Sequence, residues 1–182
     1  MAQPQPALER WTLELEGMPQ FDMAMQRVEA WYHNEIVDRA PIRFQAHNSF
    51  LNAATDEIEQ LSPEEKKAWW LNVELQVELF AKSVQGRRFH AETFPVYFPN
   101  LGPEVYAAFY GAELVYSEVT SYANPLVETW DEIANVRLDM QNPYFKTMEA
   151  LTEYALERGE GQFMVGYTDL HPGLDCVAAW RD

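Results

Sequence analysis

The stretch "YTDLHPGLDC" places Asp169, His171, Asp175 and Cys176 within a few residues of one another, just past a run that reads as a buried strand. Imidazole and carboxylate at that spacing can hold or pass a proton, and a loop at a strand end is where a rigid scaffold presents such groups. A second group lies in "IRFQAHNSF", with Arg43 and His47 on the polar side of an alternating run and Asn48 after it. A third is Asn100 in "YFPNLGP", either a ligand contact or a residue that only shapes its turn. Asp169 has a plain alternative as a turn former, and Asp175 as a helix-start charge that complements the dipole. Cys176 in "LDCVAAW" reads as a small buried hydrophobe rather than a nucleophile. His90 and Glu92 in "FHAE" form a His-x-Glu pair, but no PCxxC follows, which rejects zinc deaminase chemistry.

These groups need elements to position them. Asp22 is expected to cap a first amphipathic helix carrying Met25, Val28 and Trp31 or Tyr32, ending before "DRAP". "IRFQAH" alternates as a first strand, with Ile42, Phe44 and Ala46 on one face. "SPEE" is a capping-box start, Ser62 with Pro63 and Glu65, for a long helix through Trp69, Val73, Val77, Phe80 and Val84 that stops at Gly86. "AETFPVYF" is a short strand limited by Pro95, and "PNLGPEVYAAFYG" a loop with a short helix. "AELVYSEV" is a third strand or an edge ribbon, and the segment after it a loop with a helical turn. Asn142 and Pro143 open another helix, striped by Tyr144, Met148, Leu151 and Ala155 and ended by Gly159; "GQFMVGYTD" is a strand. The alternation predicts an α/β fold with right-handed βαβ units and a parallel sheet. His47 and Asn48, Asn100, Glu118, and Asp169 with His171 then fall at strand ends, where such folds build sites.

The chain has 182 residues, 47% of them apolar, with 13 Lys and Arg against 29 Asp and Glu, a formal charge of −16. That charge repels a phosphate backbone or an anionic bilayer, so nucleic acid and membrane are not expected partners. A single cysteine leaves no disulfide framework and no CxxC zinc site, and a reducing cytoplasmic setting is expected. Residues 1–20 read as a flexible leader, and 21–182 as one domain, without a repeat or a linker. No phosphate loop, nucleophile elbow or HExxH supports nucleotide hydrolysis, serine esterase or zincin chemistry.

Three stretches together, "VDRAPIRFQAHNSF", "FPVYFPNLGPEVYAAFYGAE" and "FMVGYTDLHPGLDCVAAWRD", resemble the uroporphyrinogen decarboxylase superfamily. Its members include porphyrinogen decarboxylases and cobamide-dependent methyltransferases built on a (β/α)8 barrel. The resemblance runs from about Phe21 onward and implies barrel strands one to three, in order. It makes the chain the N-terminal portion of an incomplete TIM barrel, since a closed one takes about 250 residues, and implies that this portion alone is inactive. It implies catalytic or orienting roles at the barrel mouth for His47, Asn100, Asp169 and His171, and substrate binding by Arg43, Asn48, Tyr167 and Asp175.

Departures from the decarboxylase pattern weigh on the reaction. The paired arginines after the first strand are missing, Asn100 stands where those enzymes have an aspartate, and their tyrosine aligns near Ala178. The resemblance therefore favours methyl transfer linked to a corrinoid, or related tetrapyrrole chemistry, over a true uroporphyrinogen decarboxylase. The family's methyltransferases commonly use zinc to activate a thiol. Their ligands lie in the second half of the barrel, so no metal ligand is assigned here. A small molecule or corrinoid protein is the expected substrate. Homo-oligomerisation is expected, and a non-catalytic α/β binding or assembly module that dimerises through an aromatic surface is the competing class.

Overall fold

The computed structural model describes residues 14–44 and 57–181. His47 and Asn48, the second half of the expected first strand, and residues 1–13 of the expected leader lie outside them. The rest of that leader is docked. Leu15 bridges Met18, Glu16 N–H donates to Gly161 at 2.8 Å, and both Leu15 and Met18 are buried.

Helix α1 (Phe21–Tyr32) follows at once, capped two residues ahead of the expected position: Gln20 is the N-cap and Asp22 sits in the first turn. Its inner face is Phe21, Ala24 and Met25, packed with Leu15, Met18, Phe89, Phe94 and Met164 in a satellite core. Trp31 and Tyr32, expected on the apolar stripe, are instead exposed at 58% and 74%. They stack edge to face on each other rather than into the core.

Over 41–44 the expected strand does not form. Ile42 and Phe44 are exposed, and their N–H groups donate to the Glu92 carboxylate and the Thr93 hydroxyl rather than to a ladder. Glu92 is the hub of this region. Its side chain is only 2% exposed and takes Arg39 on both oxygens, at 2.7 and 2.9 Å, and Arg27 at 3.0 Å. Arg27 also forks onto Asp38 with two bonds of 2.7 Å. Burial pushes the Glu92 carboxyl upward, but the bonds from Arg39, Ile42 N–H and Arg27 outweigh it and hold the group below its usual range.

The single long helix expected from Ser62 to Gly86 is two. Helix α2 (Pro63–Trp70) has the full capping box between Ser62 and Glu65, and α3 (Val73–Val84) restarts with Asn72 as N-cap, its side chain accepting from Leu75 N–H at 3.1 Å. The break lets Trp70 turn inward, stack on Tyr116 with ring centres 5.4 Å apart, and donate its indole N–H to the Ser117 carbonyl.

Strand β1 (Val96–Tyr97) leads through a turn to the short helix α4 (Val105–Ala108). Then β2 (Leu114–Tyr116) and β3 (Ser121–Ala123) form an antiparallel hairpin, with Val115 opposite Tyr122, so the possible third strand is a ribbon of its own. Helix α5 (Trp130–Ile133) is the expected helical turn. Helix α6 (Pro143–Arg158) matches its expected start, stop and stripe: Asn142 accepts from Tyr144 N–H, and Tyr144, Met148, Leu151 and Ala155 are all buried. Gly159 ends it with an ordinary right-handed φ of −84°. A Cβ there would lie 2.5 Å from the Phe163 ring, so close packing, not a left-handed turn, is what requires glycine.

Strand β4 (Met164–Val165) then pairs parallel with β1, Val96 opposite Met164 and Tyr97 opposite Val165. The chain closes with α7 (Leu174–Arg181). The protein is thus a mixed α and β fold whose described strands make two separate two-stranded sheets. The main core lies between α3 and α6, where Val77 and Ala81 face Leu151 and Ala155 and continue into Tyr97, Phe109, Leu114 and Phe163. Burying a side chain such as Leu151 is worth about 1.5–3 kcal/mol. Glu78 and Arg158 tie the rim of the two helices at 2.6 Å. Among the described residues no helix is long and apolar enough to cross a membrane.

Candidate functional site

Two strands that run parallel deliver their following loops to the same end, and here both loops border one cleft. After β1, the Asn100 side chain accepts from Gly102 N–H at 2.7 Å, closing an Asx turn that aims the chain into Pro103, Glu104 and α4. Gly102 holds a φ of +103°, and a Cβ there would fall 1.8 Å from the Ser121 hydroxyl, so only glycine lets the turn lie on the β2–β3 hairpin. Ser121 seals the contact by donating to the Leu101 carbonyl at 2.8 Å, and Glu104 accepts from Ala123 N–H.

After β4, the loop Gly166–Gly173 carries the histidine. His171 Nε2 is 2.9 Å from Asp169 Oδ2, and Nδ1 is 3.5 Å from Asp175 Oδ2, in the first turn of α7. The hydrogen bond and charge of Asp169, then the charge of Asp175, raise the His171 pKa above its ordinary 6.5. The protonated imidazolium is therefore stabilised relative to a free imidazole. Its bond to Asp169 is tight, whereas 3.5 Å to Asp175 is too long for a good hydrogen bond. Nδ1–H is the donor with capacity for a ligand.

The cleft, of about 240 Å³, is lined by Pro103, Glu104 and Ala107 from the first loop and α4, and by His171, Asp175 and Cys176 from the second loop and α7. Cys176 is buried and its thiol is pushed up to about 11 by desolvation, so at neutral pH it is a packing group and not a thiolate. Behind it Tyr106 and Tyr110 share a hydroxyl hydrogen bond of 3.1 Å, and Trp180 stands edge-on to Tyr110. Thr168 Oγ1, just ahead of Asp169, is buried with no hydrogen-bond partner among the described residues.

Of the residues singled out from sequence, Asp169, His171 and Asp175 come together, and the Asn100 turn feeds the same cleft without Asn100 lining it. Tyr167 is 97% exposed and Arg43 is exposed on the segment fastened to Glu92; neither lines the cleft. Ala178 does line it. Sequence reasoning missed Glu104, whose signal is its place directly after the "NLGP" turn. It also missed Glu92 as a structural hub, because its partners are remote in the chain.

For a metal, the described residues contain no group of three or more His, Cys, Asp or Glu side chains able to hold one. Asp169 and Asp175 each contact His171. Comparison with protein-family models, with curated proteins and with solved structures found no match to this chain.

Proposed function

We propose that this chain forms the early part of a (β/α)8 barrel of the uroporphyrinogen decarboxylase type, acting in methyl transfer linked to a corrinoid or in related tetrapyrrole chemistry. The observation that carries this reading is the parallel pairing of Val96–Tyr97 with Met164–Val165, whose two following loops border the same cleft around His171. That is the strand-end location at which barrel enzymes build their sites. In this reading His171, held by Asp169, donates Nδ1–H to an acidic or carbonyl group on the substrate rim and orients it. Asn100 acts through the turn that it closes, and Asp175 adds a smaller push to the imidazole charge that Asp169 mainly stabilises. Further polypeptide would supply the other strands and any zinc ligands.

The test is to titrate the native protein with hydroxocobalamin, following absorbance, and to measure its zinc content. Corrinoid binding weakened about tenfold in His171→Gln is the expected result. A protein that takes up neither corrinoid nor zinc would defeat the proposal.

One observation favours the second reading, an assembly module. Tyr32, Ile36, Tyr167 and Leu174 are 74%, 72%, 97% and 85% exposed, large apolar side chains that a second copy could cover. Light scattering on the purified protein decides it, a monomer at micromolar concentration ruling the module out.

A further inference from the structure

A second cleft is lined in part by Gln162, which precedes β4, whereas His171 of the first cleft follows the strand. It encloses about 330 Å³, and Arg87, Arg88 and Arg158 all line it, with Glu16 as the single acidic side chain in its wall. In a chain with 13 basic residues against 29 acidic ones, three guanidinium groups around one hollow run against the composition.

The walls are fastened by backbone bonds. Phe89 N–H donates to Gly17 at 3.0 Å, Arg87 N–H to Val84 at 3.1 Å, and Glu16 N–H to Gly161 at 2.8 Å; the Gln20 amide donates to the Phe89 carbonyl at 2.9 Å. Gly17 lies so close that a Cβ would stand 2.6 Å from the Arg87 carbonyl. The arginines therefore project from a preorganised frame. Arg158 uses Nε and Nη2 on Glu78, at 2.6 and 3.4 Å, which leaves Nη1 out of that pair. Arg88 is exposed and makes no hydrogen bond or ion pair among the described residues.

We infer that this cleft binds a small, multiply charged anion through Arg88 and Arg158, a polycarboxylate or a phosphate ester. The Arg88 fork matches either group bidentately while Arg158 offers its remaining Nη1, and the lining is too polar for an apolar ligand. The molecule's overall negative charge weakens beyond about 8 Å at physiological salt, so it does not cancel contacts made at hydrogen-bond distance. This site is separate from the His171 cleft and stands whether or not the corrinoid reading does.

Calorimetric titration of the protein with citrate and, separately, inorganic pyrophosphate, each at matched ionic strength, tests it. Saturable binding of at least one is expected, weakened about fivefold or more in Arg88→Gln and unchanged in His171→Gln. The stronger probe distinguishes a carboxylate from a phosphate ligand. Arg88 has no partner to lose among the described residues, so its variant keeps the fold, which circular dichroism checks. Absence of saturable binding by both probes, or an Arg88→Gln affinity within fivefold of the parent, overturns the inference.

Discussion

Nε2 of His171 and Oδ2 of Asp169 stand 2.9 Å apart, and this contact is the first cause that lifts the His171 pKa. Asp175, at 3.5 Å from the other nitrogen, adds a smaller push in the same direction. In an NMR titration His171 should therefore show a midpoint above 6.5. Asp169→Asn should bring it down, and Asp175→Asn should bring it down less. Because the folded chain holds this proton more tightly than the unfolded one, the stabilisation is complete below pH 6.5 and fades as pH rises through the raised folded value. Equal midpoints in the parent and Asp169→Asn would show that the pair is not formed in solution.

Glu92 behaves in the opposite sense. Its folded pKa is depressed, so its contribution is present above the ordinary 4.5 and is lost as pH falls through the folded value. Glu92→Ala leaves Arg39 and the Ile42 N–H without their carboxylate and should cost about 1–3 kcal/mol in urea unfolding. It should also flatten the acid limb of the stability curve.

Gly102→Ala meets both a positive φ and the Ser121 hydroxyl. A loss of about 3 kcal/mol is expected, the upper end of what either strain or overpacking alone usually gives. Pairing it with Ser121→Gly should recover part of the loss, since that change removes the atom in the way; thermal melts of the single and double variants measure the difference.

Cys176 should react slowly with a thiol reagent in the native protein and rapidly in denaturant, since burial both shields it and raises its pKa to about 11. Rapid native labelling would mean that α7 opens readily from α4.

What could be read from sequence was local. Ser62 with Glu65, and Asn142 with Pro143, announce helix starts because caps act on N–H groups within the next turn, and the stripe of α6 follows from its own periodicity. The break at Asn72 was hidden because Trp69, Val73 and Val77 keep helical spacing across it; Asn72 itself was the available sign. Alternation over Ile42–Phe44 failed for another reason. It records a pattern of side chains but not a partner, and the backbone's partners are the side chains of Glu92 and Thr93, far along the chain. The Asp169–His171–Asp175 group was legible because its members share one loop and helix start. The other wall of its cleft, Glu104 and Ala107, comes from contacts between elements that no spacing encodes.

The lock between Gly102 and Ser121 has a consequence for how the molecule breathes. With the Leu101 carbonyl bonded to Ser121 and the Ala123 amide bonded to Glu104, the strand-end turn and the hairpin cannot loosen separately without orphaning a buried group. They should open as one cooperative unit, their amides exchanging with solvent deuterium at a common free energy. One wall of the His171 cleft would then be lost or kept as a whole.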